Sequence, residues 1–297
     1  MSVNSFKIQR KLKSGFFEFY IYSCLFICFI VFTLSILKLG MESFSFFQEV
    51  SPLKFFTEKR WAPLFQPQHF GIAPLLNGSL LIVLGSLIVA LPLGLCCSIY
   101  LYEYSPKKIK IFLKPALETL SSIPSIVYGY LALSLITPSL KLIFPSIEIF
   151  NAASAMIIVG IMILPTIISL SHDALLALPK DLKESSLALG CTPFESIFYV
   201  LIPAIKKQIG AAAILASSRA LGESMAVSIA AGSTPKLSLN PLEAIQTMTA
   251  FIVQLSLGDI AHGSMAQKSC YSIAFMLFLT SILLNSIAHR LIRKEAK

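Results

Sequence analysis

Apolar positions along this chain fall into six long blocks, approximately Phe16 to Leu37, Leu76 to Tyr102, Glu118 to Ile136, Asn151 to Ser171, Gln208 to Ala231 and Cys270 to Ala288. Polar stretches marked by proline or glycine separate them. Each block approaches the roughly 20 residues that a helix needs to cross about 30 Å of hydrocarbon. The pattern predicts an all-α, polytopic membrane protein with six transmembrane helices. It divides the chain into a tail (1–15), a first helix (16–37), a loop (38–75), a five-helix core (76–288) containing a long loop (172–207), and a second tail (289–297).

Two stretches between the blocks have a character of their own. The first, "KRWAPLFQPQHFGIAPLLNGS", carries Pro63, Pro67 and Pro74, which oppose a continuous helix, so an irregular cap is expected, with Trp61 and Phe70 as membrane-interface anchors or as the core of that cap. The second, "PLEAIQTMTAFIVQLSLGD", places Leu242, Ile245, Met248, Ile252 and Leu255 at helical spacing. It is too short to span, which predicts an interfacial or re-entrant helix ended by Gly258 and Asp259.

Composition agrees with a membrane chain. Of 297 residues, 56% are hydrophobic and only 13% charged, against about a quarter charged in soluble domains. The net charge of +9 is mainly a topology signal rather than a nucleic-acid footprint. Four Lys or Arg fall in each of the N-terminal tail, the loops after the second and fourth blocks, and the C-terminal tail. The alternate side holds seven: Lys38, Lys54, Lys59, Arg60, Lys141, Lys236 and Lys268. Sixteen against seven places both termini in the cytoplasm and the 38–75 loop outside. The first block is too long for a secretory signal and lacks a following cleavage pattern, so it reads as a retained helix. Five of the six cysteines lie in apolar blocks and only Cys191 in a polar loop, which favours free thiols. His69, His172, His262 and His289 are scattered and no Cys-x-x-Cys occurs, so no metal site is expected.

One block carries charge. "SSRALGESMAV" places Arg219 and Glu223 inside the fifth block, where a charge costs roughly 2.5 to 3.5 kcal/mol on insertion scales. On a continuous helix the two share one face and can pair. Two readings stay open: a buried ion pair that fixes packing, or the charged lining of a solute path, for which the planar Arg fork suits an oxyanion. Ser218, Gly222 and Ala226 add a small-residue stripe that admits another helix closely.

The cytoplasmic loop 172–207 is unusually apolar, with two periodic pieces flanking Gly190 and a helix restart at Thr192-Pro193. Leu182, Ser186, Leu189 and Gly190 make a small-and-apolar face that either docks on a partner or packs on the chain's own spans. Glu184-Ser185-Ser186, Gly190 and Val200-Leu201-Ile202-Pro203 resemble the EAA signature of ABC importer permeases, with Ser-Ser in place of Ala-Ala. Within that superfamily, four stretches are similar to the PstC family of phosphate permeases: "FGIAPLLNGSLL", "ALPLGLCCSIYLYEY", "IPSIVYG" and "RALGESMAV".

This resemblance implies the type I, MetI-like permease fold in a bacterial inner membrane. It also implies a PstA-like second permease, two PstB-like ATPase copies and a periplasmic PstS-like phosphate-binding protein. The ATPases would receive the loop through Glu184, Ser185, Ser186, Gly190 and Pro203, and would bind the ATP and Mg; no cofactor is expected in this chain. Arg219 and Glu223 would line the phosphate path, Glu223 holding Arg219. Pro124, Ser125 and Tyr128 would line the path or only set a kink.

Rival functions are weaker. Gly222-Glu223-Ser224 superficially fits a serine protease, but no histidine lies within a block to act as base. No Gly-Lys pair occurs, so a self-sufficient P-loop ATPase is excluded. A secondary transporter, and an ABC permease for molybdate, sulfate or phosphonate, remain as alternatives.

Overall fold

The structure, a computed structural model, describes residues 3–261 and 263–293. His262 and the end of the C-terminal tail therefore lie outside the described residues. Helix α1 (Val3–Glu49) overruns the expected first span at both ends and packs mainly along the last helix. Helix α2 (Pro52–Thr57) and a two-residue antiparallel hairpin, β1 (Trp61–Ala62) with β2 (His69–Phe70), follow. Helix α3 (Ala73–Ile99) ends in a π-helical turn, Tyr100–Tyr104.

The expected third span is displaced. Pro124 disfavours helical backbone at Ile123, which is extended (φ −65°, ψ 130°), so the segment splits there. Its first part is α4 (Lys107–Ser122). Its second runs from α5 (Ser125–Leu131) through a π turn at Ala132–Ile136 into α6 (Thr137–Ile143). The continuous apolar stretch is thus Ser125–Ile143 rather than Glu118 to Ile136.

Helix α7 (Ala152–Leu176) is the buried centre and lies along α3. Small residues allow that approach: a Cβ on Gly94 would meet Ile167 Cγ2 at 2.6 Å, and one on Gly160 would meet Ser86 O at 3.1 Å. Asn151 starts α7. It is fully buried, its Oδ1 accepts from Ser154 N at 2.7 Å, and its Nδ2 donates to Thr137 Oγ1 at 3.2 Å and Glu148 O at 3.1 Å. Asn151→Ala removes a cap and strands buried donors and acceptors, so it is expected to destabilise by about 3 kcal/mol. A lowered thermal midpoint in detergent checks this; an unchanged midpoint would refute it.

Beyond α7 come α8 (Lys180–Ala188), the three-residue α9 (Pro193–Glu195), a π turn at Ser196–Leu201, and α10 (Ile202–Ala204). The axis then bends by 68° at Ile205 into α11 (Lys206–Leu221). The expected fifth span is not one helix. It breaks at Gly222–Ser224 and resumes as α12 (Met225–Ala231). Among the described residues, five helices are long and apolar enough to cross a membrane, or six when the bent pair Pro193–Ala204 and Lys206–Leu221 is counted as one span.

Helix α13 (Met248–Leu257) is the short apolar element expected before the last span, α14 (Met265–Arg293). It packs against α14, α3 and α12, with Met248, Phe251 and Leu255 buried, which favours the re-entrant reading over the interfacial one. Gly258 caps it as expected. The expected cap, residues 46–70, rests on this helix. Phe46, Phe55, Trp61 and Phe70 form an edge-to-face cluster, and Trp61 meets Phe251 with ring centroids 4.9 Å apart. Trp61 and Phe70 are buried, so they are the core of the cap rather than interface anchors.

Candidate functional site

The break between α11 and α12 carries the two charges of the fifth block. Gly222 ends α11, so Glu223 lies past the helix and no longer stands over the turn that bears Arg219. The expected Arg219–Glu223 pair is not made: the described ion pairs include neither residue. Arg219 is exposed, and its Nη1 donates to Thr166 Oγ1 on α7 at 3.3 Å. Glu223 turns back into the break, where its Oε1 accepts from Ala226 N at 3.2 Å and its carbonyl accepts from Thr249 Oγ1 at 2.8 Å. Thr249 itself sits in α13, beside Thr247, and Ser79 Oγ accepts from Met248 N at 3.0 Å. Thus Glu223 braces the broken helix against α13, while Arg219 presents its fork outward.

Helix α5 closes one side of this region. A Cβ on Gly129 would lie 3.1 Å from Ala226 Cα, so of the expected small-residue stripe Ala226, on α12, receives a helix closely, while the break at Gly222 divides it from Ser218 on α11. Tyr128 is buried and its hydroxyl donates to Leu120 O across the Pro124 break at 2.7 Å, which ties α5 back to α4. Ser125 is half-buried at the start of α5 and Pro124 is exposed. Geometry therefore gives Tyr128 a bracing contact and leaves Ser125 nearer an open surface. Sequence reasoning missed Thr166 and Thr249, because lone threonines within apolar helices carry no pattern that marks a partner.

The loop 172–207 is a second, separate site. Helix α8 ends in a Schellman arrangement, with Cys191 N donating to Ser186 O at 3.2 Å and Gly190 N to Leu187 O at 3.0 Å. Gly190 has φ +92°, in the left-handed region that glycine adopts without strain. Thr192 and Glu195 then form a capping box that restarts the chain as α9. Ser186 points inward: it is buried, with its Oγ 2.6 Å from Ser196 Oγ. Glu184, Ser185, Gly190 and Pro203 are exposed, and Leu189 is 86% exposed. The face expected from Leu182, Ser186, Leu189 and Gly190 is therefore divided, its serine packing on the chain and its tip standing free.

A small apolar core holds this loop together. Leu175, Ile197, Leu201 and Ile205 are buried, with Ile99, Tyr102, Leu178 and Ile209 packed against them. Lys183 adds an ion pair to the end of α3, donating to Glu103 Oε1 at 2.8 Å and Oε2 at 2.7 Å. These two residues are 80 positions apart, so no local spacing signals their contact.

Comparison with known proteins bears on both regions. YqgH of Bacillus subtilis, described as a probable ABC transporter permease protein, is 35% identical over 244 residues, spanning 82% of this chain and 78% of its own. The phosphate transport system permease protein PstC of Mesorhizobium japonicum is 31% identical over 264 residues, spanning 82% and 79%. In a crystal structure of a bacterial alginate ABC transporter in complex with an alginate pentasaccharide-bound periplasmic protein, one chain shares the fold. It aligns with a TM-score of 0.61 at 16% identity, over 94% of this chain and 96% of that one. Residues 90–296 match the family model for binding-protein-dependent transport system inner membrane components, a range that includes both the broken span and the 172–207 loop, and the chain belongs to that family.

Proposed function

We propose that this chain is the permease subunit of an ATP-driven phosphate importer and forms the translocation path with a second, PstA-like permease. The observation that carries the proposal is Arg219: an exposed guanidinium beside a helix break, with no carboxylate paired to it among the described residues. Such a group offers paired donors to a tetrahedral oxyanion. Similarity to the PstC protein supports phosphate as that oxyanion. Glu223 and Thr249 hold the break open beside it, and Ser125 stands at the mouth of α5. A single bond to Thr166 orients Arg219 without neutralising it, so its charge stays available to a passing anion.

In this reading the chain lies in a bacterial inner membrane with both termini in the cytoplasm, as its charge distribution favours. It carries out no chemistry itself. Two PstB-like ATPases bind ATP and Mg and receive Glu184, Ser185, Leu189 and Gly190 in a groove, and a PstS-like binding protein delivers phosphate outside. Ser186 shapes the loop from within, through Ser196, and the exposed Pro203 stands in the short helix just before the 68° elbow. ATP-driven closure of the ATPases rocks the helices between inward and outward access.

The test is uptake of labelled phosphate into vesicles holding the complete importer, with sulfate and molybdate as competitors. ATP-dependent phosphate uptake that neither competitor suppresses is the expected result. Uptake of sulfate or molybdate instead would keep the importer and overturn its cargo. Uptake by this chain without ATPase partners would indicate a secondary carrier.

A further inference from the structure

We propose that Glu103 and Lys183 are positioning residues that carry the motion of α8 into α3. The inference rests on reading the 172–207 loop as the ATPase contact. A pushed loop moves a span only where it is fastened to one. Helix α8 joins α7 through Ala177–Pro179, where the backbone leaves the helical region at Pro179 (φ −57°, ψ 133°), so α7 and α8 are not one continuous rod. On its other side, α8 packs against the π turn Ser196–Leu201 of its own loop. Its polar tie to α3 is Lys183, whose ammonium meets both oxygens of Glu103.

That tie has the features of a stiff link. The Glu103 side chain is only 13% exposed and that of Lys183 29%, so water screens the pair less than it screens a surface pair. The Lys183 ammonium also lies 5.9 Å from the centroid of the Tyr102 ring, and Tyr102 packs into the apolar core of the loop. Both Tyr102 and Glu103 sit in the π turn that ends α3. A π turn adds one residue to the helical repeat and so re-aims the side chains that follow. Here the re-aimed carboxylate meets α8, and a push on α8 is delivered to the cytoplasmic end of a helix that lies along α7 through much of the core.

The experiment uses the complete importer in vesicles, comparing wild type, Glu103→Gln, Lys183→Met and the exchanged pair Glu103→Lys/Lys183→Glu. ATP hydrolysis and labelled phosphate uptake are measured on the same vesicles, and hydrogen exchange across residues 95–104 is followed with and without ATP. Both single variants are expected to keep hydrolysis within about threefold of wild type while phosphate moved per ATP falls at least about tenfold. The ATP-dependent change in exchange at 95–104 should vanish with it, and the exchanged pair should restore both. Unchanged phosphate per ATP in the single variants would overturn the inference, as would an exchanged pair that restores neither readout. Absence of an ATP-dependent change at 95–104 in wild type would overturn it too. Failure of all three variants to assemble would make the pair a folding element and equally reject the proposal. The exchange readout needs no cargo, so wild type that responds to ATP at 95–104 but takes up no phosphate would defeat the phosphate reading alone.

Discussion

Arg219→Ala is expected to lower phosphate uptake at limiting phosphate by about 10- to 100-fold, the range that corresponds to losing hydrogen bonds to a charged group. The complex should still assemble, because Arg219 is exposed and its bond to Thr166 is a single one at 3.3 Å. Arg219→Lys keeps the charge but loses the planar fork and should fall between the two. Geometry adds a sharper expectation. Since Glu223 caps the backbone of α12 instead of meeting Arg219, the two positions should act independently. In a double-mutant cycle with Arg219→Leu and Glu223→Leu, the coupling energy should stay below about 0.5 kcal/mol. A larger coupling would show that the two charges meet during transport. Full uptake in the double variant would reduce Arg219 to a packing residue.

Gly78→Ala is expected to destabilise the fold by about 3 kcal/mol, at the upper end of the cost of overpacking. A Cβ there would lie 2.3 Å from Gln246 O and 3.0 Å from Gln246 C. Those atoms are backbone, so no side chain can rotate away. The segment is also fastened nearby, by Met248 N on Ser79 Oγ at 3.0 Å and by Asn77 Nδ2 on Ser238 O at 2.6 Å. Moving it would displace α13, which carries the Thr249 bond to Glu223. Gly210→Ala is the control. Nothing lies within 4 Å of its Cβ, and it sits in α11, so the change should be neutral or stabilising by up to about 1 kcal/mol. Thermal unfolding in detergent separates the two cases. Equal midpoints would mean that α3 and the 244–248 segment are further apart than the structure places them.

The apolar spanning blocks, the short apolar helix ended by Gly258, and the helix–Gly190–helix form of the 172–207 loop were all legible in the sequence. Each rests on a local cause. Length and hydropathy alone set what can cross a bilayer, and a glycine at φ +92° or a Thr-Pro restart acts within a few residues. Membership of the permease family was legible for a similar reason, since the EAA stretch and the four PstC-like stretches are each contiguous.

Other features were decided only by tertiary structure. Hydropathy counts apolar side chains and takes no account of backbone bonds, so Glu118 to Ile136 and Gln208 to Ala231 read as single spans. Pro124 splits the first, where a proline favours extended backbone before it. The second splits at Gly222–Ser224, where Glu223 and Thr249 supply bonds that the broken helix needs. Helical spacing placed Arg219 and Glu223 on one face, a relation that holds only while the helix is continuous. Thr166 for Arg219, Leu120 for Tyr128, Ser196 for Ser186 and Glu103 for Lys183 are partners from other turns and helices. Sequence alone determined which segments prefer the membrane and which loop is built as two helical pieces around a glycine. The fold decided which polar groups meet, because a buried donor or acceptor in an apolar chain takes whatever partner the packing of distant helices brings within about 3 Å.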